Sequence, residues 1–105
     1  KYSSFTIAGA AIGVTHKKFK NWHKTFIENL STSIQLHHIN RLIVINHKDC
    51  GAAKFINGKK QFNEVKEKKI HSESFKKLSK MLNKRFPKLH CEFYLMSLNS
   101  SIRRF

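Results

Sequence analysis

His47 and Cys50 stand two residues apart in His47-Lys48-Asp49-Cys50-Gly51, directly after the apolar run Leu42-Ile43-Val44-Ile45. An imidazole nitrogen and a thiolate are good zinc ligands, and a two-residue gap lets both reach one metal. Gly51 lets the backbone turn just after the second donor. A structural zinc site takes four ligands, so the same pair also reads as a capping His beside a buried free thiol. Nucleophilic catalysis by Cys50 is a further reading, with a following helix N-terminus lowering its pKa, but the sequence assigns no general base. Asp49 could bind metal, pair with Lys or cap the next helix, and capping ranks first because Asp is a favoured N-cap. His16 and His23 emerge after the first expected strand, where either could reach a metal, although both read more simply as surface residues. His37, His38, His71 and His90 share no ligand-set spacing, and Gly9-x-x-x-Gly13 matches neither nucleotide-binding fingerprint.

These residues need elements to position them. Ser3–Ala8 reads as a strand, with Phe5 and Ile7 alternating with Thr6, and Gly9 and Gly13 mark a sharp turn or a close approach. Thr15 is the expected cap of a helix whose face is Trp22, Phe26, Leu30 and Ile34, widened by Ile27. That face reads as core. Arg41–Asn46 is a strand whose continuous apolar run predicts burial on both faces. Asn57-Gly58-Lys59-Lys60 is a turn. Glu64 to Phe86 is helical, with Phe75, Leu78, Leu82 and Phe86 inward, Lys66, Lys68, Lys69, Lys76, Lys77, Lys80 and Lys84 solvated, and Pro87 as the stop. Leu89–Leu98 is a third strand and Asn99-Ser100-Ser101 a turn. The tail Arg103-Arg104-Phe105 is undetermined.

Strands alternating with helices predict an α/β fold, three layers deep, with a mainly parallel sheet flanked by helices. The 105 residues suffice for one domain with a modest core, residues 1–105. Chemistry in such a sheet lies at the carboxyl ends of the strands. Cys91 begins the third strand and Cys50 follows the end of the second, a separation of roughly 20 Å for a six-residue strand. A disulfide needs Cα atoms within about 7 Å, so the two are expected unbridged, as in a reducing cytoplasm.

The charge is lopsided. Twenty-one Lys and Arg face six Asp and Glu, for a net charge of +15. Such a surplus attracts nucleic acid or an anionic membrane surface. Only four of the 21 are Arg (Arg41, Arg85, Arg103 and Arg104), whereas readers of phosphate and base edges lean on Arg. A basic nucleic-acid-binding module, its contacts non-specific, is therefore an alternative function. In that reading Phe19, Trp22 and Phe26 lie at helical spacing, with Trp22 and Phe26 better placed in the core. No apolar run is long enough to span a bilayer. Lys1 ahead of Phe5–Val14 has a faint look of a signal peptide, but a buried strand and turn is preferred.

Leu42-Ile43-Val44-Ile45-Asn46-His47-Lys48-Asp49-Cys50-Gly51-Ala52 resembles the second metal-binding segment of β-class carbonic anhydrases, where an apolar strand runs into His-x-x-Cys-Gly. Ile7-Ala8-Gly9-Ala10 is similar to that family's strand ending in an Ala-Gly turn. The likeness is closest to a short, divergent branch and covers about Phe5 to Leu98. The resemblance implies one zinc per chain held by two Cys and one His, with His47 and Cys50 as the two protein ligands that map here. It implies reversible hydration of carbon dioxide to bicarbonate and a homodimer. The family's first segment, Cys-x-Asp-x-Arg on a strand before the Ala-Gly turn, does not occur in these residues. Its absence leaves the zinc site incomplete, the activity in doubt and the first strand of the sheet missing. The chain begins with Lys, which fits a fragment whose first segment lies upstream. A non-enzymatic domain of the same fold is the other alternative.

Overall fold

The structure, a computed structural model, describes residues 4–58 and 60–105. Its elements are α1 (Ala11–Thr15), a 3-10 turn (Lys17–Phe19), α2 (Lys20–His37), β1 (Arg41–His47), α3 (Gly51–Asn57), α4 (Glu64–Arg85), β2 (His90–Met96) and β3 (Ile102–Arg104). The sheet runs β1-β2-β3. β1 and β2 are parallel, from Arg41 opposite His90 to His47 opposite Met96, and β3 returns antiparallel to β2. The α/β class is as expected. The sheet is mixed, with one parallel and one antiparallel pairing.

α4 follows the sequence most closely. Phe75, Leu78 and Leu82 are buried one turn apart, and the seven lysines named above are exposed. Asn63 caps the helix by accepting the Lys66 N–H at 2.9 Å. Glu64 and Glu67 sit in the first turn, where the helix dipole favours negative charge. The helix ends at Arg85, just ahead of Pro87. Phe26 and Leu30 of α2 join Val14, Val44, Phe75, Leu78 and Leu82 in the main core, with Leu42, Cys91 and Phe93 packed against it. Leu42, Val44, Cys91 and Phe93 lie on one face of the sheet, so α1, α2 and α4 all contribute to covering that face.

The other face corrects one expectation. β1 is not buried on both sides: Val44 and Asn46 are inside, whereas Ile43 and Ile45 are 47% and 40% exposed. The alternation of a half-covered strand is present in the structure but masked in the sequence, because both faces carry apolar side chains. Trp22, expected in the α2 core stripe, is 37% exposed.

The amino-terminal strand is also corrected. Residues 4–7 adopt no regular structure, and Ser3 lies outside the described residues. A strand needs a partner for its backbone groups, and among the described residues Ser4–Ile7 has no strand beside it. The Gly expectations hold. Gly9 has φ +78°, and a Cβ there would lie 2.7 Å from that of Ala52. A Cβ on Gly13 would collide with the Ala8 carbonyl oxygen. Thr15 is not a cap: it ends α1 and its hydroxyl donates to Ala11 O at 2.6 Å. His16 takes over, accepting the Lys18 N–H on Nδ1 at 3.1 Å. In the turn expected at residues 57–60, Gly58 closes α3 with φ +66° and Lys59 lies outside the described residues.

Candidate functional site

The carboxyl ends of the parallel pair β1 and β2 carry the polar chemistry of the molecule. Asn46, 1% exposed, organises it. Its Oδ1 accepts the Ala11 N–H at 3.0 Å, so the amide cannot be flipped and its Nδ2 must face α4. There Nδ2 donates to His71 Nδ1 at 2.9 Å and to Ser74 Oγ at 3.3 Å. His71 Nδ1 is therefore the acceptor, and the ring proton sits on Nε2, which donates to Glu67 Oε2 at 3.2 Å. The same Glu67 oxygen accepts the Cys50 N–H at 3.1 Å. One chain of contacts thus runs from α1 through β1 and α4 to the loop holding Cys50. Burial pushes the His71 pKa down, with the Glu67 carboxylate opposing, so the fold disfavours the protonated ring.

His47 and Cys50 flank this network differently. The His47 side chain is exposed, and its Nδ1–H donates to Lys48 O at 3.0 Å. That hydrogen bond leaves the Nε2 lone pair available, the usual state of a metal-binding imidazole. Cys50 is 2% exposed and packs with Ile12 and Ala53 at the start of α3. Cys50, not Asp49, is the N-cap residue of α3. Asp49 has φ +56° and turns to Lys54, 2.6 Å away, which holds its carboxyl below the usual range. Among the described residues, no three His, Cys, Asp or Glu side chains converge as a metal-binding group. His16 caps the 3-10 turn and His23 lies on α2. Cys91 pairs in register with Leu42 near the amino end of the sheet, and both cysteines are free.

Two cavities adjoin these elements. One of about 500 Å³ opens at the carboxyl strand ends between Lys48, Glu67, His71, Ser97, Arg103 and Arg104. The other, about 470 Å³, runs along the outer edge of β1. Leu42–Ile45 form one wall of it, Phe5 and Ile7 lie across from them, and Phe26 and Leu30 of α2 also line it. β1 ends the sheet on this side, so the backbone of that edge has no strand partner among the described residues. Sequence reasoning missed His71 and Glu67, because their partner Asn46 lies 25 residues from His71 and polar pairing across that distance leaves no periodic signal.

Comparison with known proteins adds relatives but no function. The chain is 27% identical over 104 residues to an uncharacterized protein of Rickettsia bellii and 26% identical over 104 residues to an uncharacterized protein of Rickettsia conorii. In each case 98% of this chain is aligned, against 63% and 56% of the relatives, so it spans less than two thirds of their length. No family model matches the sequence. No solved structure matches it either. No helix among the described residues is long and apolar enough to cross a membrane.

Proposed function

We propose that this chain is part of a carbonic-anhydrase-like zinc protein that reversibly hydrates carbon dioxide to bicarbonate, with His47 and Cys50 as two of the zinc donors. One juxtaposition carries the reading. The His-x-x-Cys pair starts at the last residue of β1, and β1 is the strand whose outer edge opens onto an unfilled apolar groove. A further strand in that groove would lie beside β1 and bring its own side chains to the same end of the sheet. The resemblance calls for such a strand, carrying the remaining Cys ligand and an Asp–Arg pair. With it in place the sheet would become mainly parallel, and Ser4–Ile7 would gain the partner it lacks.

By type, an imidazole and a thiolate are two of the four donors a tetrahedral zinc site takes. His47 offers Nε2, and Cys50 offers a thiol on a loop that Glu67 fixes through the Cys50 N–H. Zinc, when bound, would supply the acidity that makes water a nucleophile at neutral pH. The chain's own contribution is positioning. Asn46 and His71 orient Glu67, and Glu67 holds the cysteine loop. Lys48, Arg103 and Arg104 around the cavity at the carboxyl strand ends suit bicarbonate. The uncovered Ile43 and Ile45 offer a second copy an apolar contact, in keeping with a homodimer.

The test is carbon dioxide hydration by a zinc-loaded form lengthened on its amino side. His47→Ala and Cys50→Ser should each lower the rate at least about 100-fold. A rate indifferent to both substitutions would refute the assignment.

A further inference from the structure

Outside the zinc reading and independent of it, one surface combines aromatic rings with unpaired cations. Phe19 stacks on Trp22 at 4.8 Å between centroids and 9° between planes, and Phe55 of α3 stands 5.7 Å from Phe19. Phe55 is 61% exposed, and Lys18 Nζ lies 5.4 Å from its ring centroid. Phe19 and Trp22 are three residues apart where the 3-10 turn runs into α2, and the fold brings Phe55 of α3 to them. Lys17, Lys18 and Lys20 flank Phe19 in sequence and are exposed, and none of the three has a carboxylate within ion-pair distance among the described residues. Neighbouring Lys54 and Lys24, by contrast, are held by Asp49 at 2.6 Å and Glu28 at 3.7 Å. Lys77 also faces this region from α4: it acts with Lys17, Lys18 and His23, and with burial as the leading cause, to hold the His16 pKa down. The carboxylate on that side is Glu73, which lines a small cavity with His16 and Lys77 and is itself 4.0 Å from Lys69.

We propose that Phe19, Trp22 and Phe55, with Lys17, Lys18 and Lys20, form a binding surface for single-stranded nucleic acid. Aromatic rings beside a positive surface are the combination that binds unpaired bases and their phosphates together, through stacking and counterion release. A duplex keeps its base faces to itself and would engage only the lysines. A second copy of the chain is a poor occupant of this patch, where the exposed Lys17, Lys18 and Lys20 would favour an anionic partner over another basic chain. An anionic membrane would meet the charge, but its binding draws on several projecting apolar side chains, whereas Phe55 is the one strongly exposed ring of the three and an unpaired base can stack on a single ring. The surface also gives the lysine excess a use that the core does not require.

Trp22 is the only Trp in the chain, so its fluorescence reports on the patch directly. Titration with an oligothymidylate at about 0.15 M salt should quench Trp22. Phe55→Ala leaves the charge unchanged and should weaken binding about tenfold. Lys18→Gln should flatten the salt dependence by about one phosphate contact, whereas Lys88→Gln, ahead of β2, should leave the fluorescence quenching intact. Equal affinity of Phe55→Ala and the parent, or equal affinity for single-stranded and duplex DNA, would reduce the effect to that of a polycation and overturn the proposal. So would partition into phosphatidylglycerol vesicles that Phe55→Ala abolishes without weakening oligothymidylate binding. The thermal midpoint of Phe55→Ala, expected to match the parent, verifies that the variant folds.

Discussion

Two regions of β1 are finished to different degrees. At its carboxyl end, Asn46 uses its oxygen and its amide protons, and His71, Ser74, Glu67 and the Ala11 and Cys50 N–H groups are all paired through it or beside it. Along its outer edge, a few residues earlier, the backbone has no strand partner, and Phe5 and Ile7 look across an open groove. A buried polar network is costly unless every member is satisfied, so the completeness at one end marks a geometry the fold holds closely. An open, apolar edge is a liability that folded proteins usually cover. The contrast teaches that the loop carrying Cys50 is fixed by contacts among the described residues, while the outer edge of β1 has no strand beside it among them.

The comparison breaks most severely at Asn46. Asn46→Leu would strand the Ala11 N–H and remove the donor to His71 in a dry site, and should cost about 2–4 kcal/mol in urea unfolding. Leu82→Ala, in the adjoining core and fully buried, should cost a similar amount, about 2–5 kcal/mol, by leaving a cavity. Equal effects would show that polar pairing here matters as much as packing. At the open edge, Ile43→Thr should cost less than about 1 kcal/mol in the present chain, because the side chain is already half in water. If the groove receives a strand, the same substitution should cost more in the lengthened form, which thermal unfolding of both forms would reveal.

How much of this was legible follows from which interactions repeat. α4 was readable because Phe75, Leu78 and Leu82 recur with the helical period and Pro87 punctuates the end. β1 was readable as a strand, but its uncovered face was not, since Ile43 and Ile45 look as buried in sequence as Val44. Ser4–Ala8 has a strand's pattern and lacks a neighbour to pair with, which no local pattern records. β3 escaped because three residues, two of them Arg, give no alternation to read. The His-x-x-Cys spacing was visible at once. The Asn46–His71–Glu67 relay that orients its loop was not, because it joins a strand to a helix through single polar contacts.

A smaller effect separates the two faces of the sheet by pH. Glu92, on the face away from the helices, accepts from Arg41 Nε at 2.7 Å and from the Tyr94 hydroxyl at 2.5 Å. The Arg41 hydrogen bond is the larger cause, with Tyr94 adding to it, and together they hold the Glu92 pKa down to about 2. A carboxyl depressed in the fold stabilises above its unfolded pKa, and that contribution fades as pH falls from about 4.5 towards 2. His71 acts in a higher window. Its lowered pKa means the unfolded chain takes up the proton first, so stability falls as pH drops below about 6.5. Urea unfolding followed from pH 7 downward should therefore show two declines, with Arg41→Gln removing most of the lower one and His71→Phe flattening the upper.

Zinc content bears most directly on the central claim. Elemental analysis of the present chain and of the form lengthened on its amino side should find about one zinc per chain in the longer form and far less in the shorter. Cys50→Ser should strip the metal from the longer form. A longer form without zinc, or one that keeps its zinc after Cys50→Ser, would contradict the account.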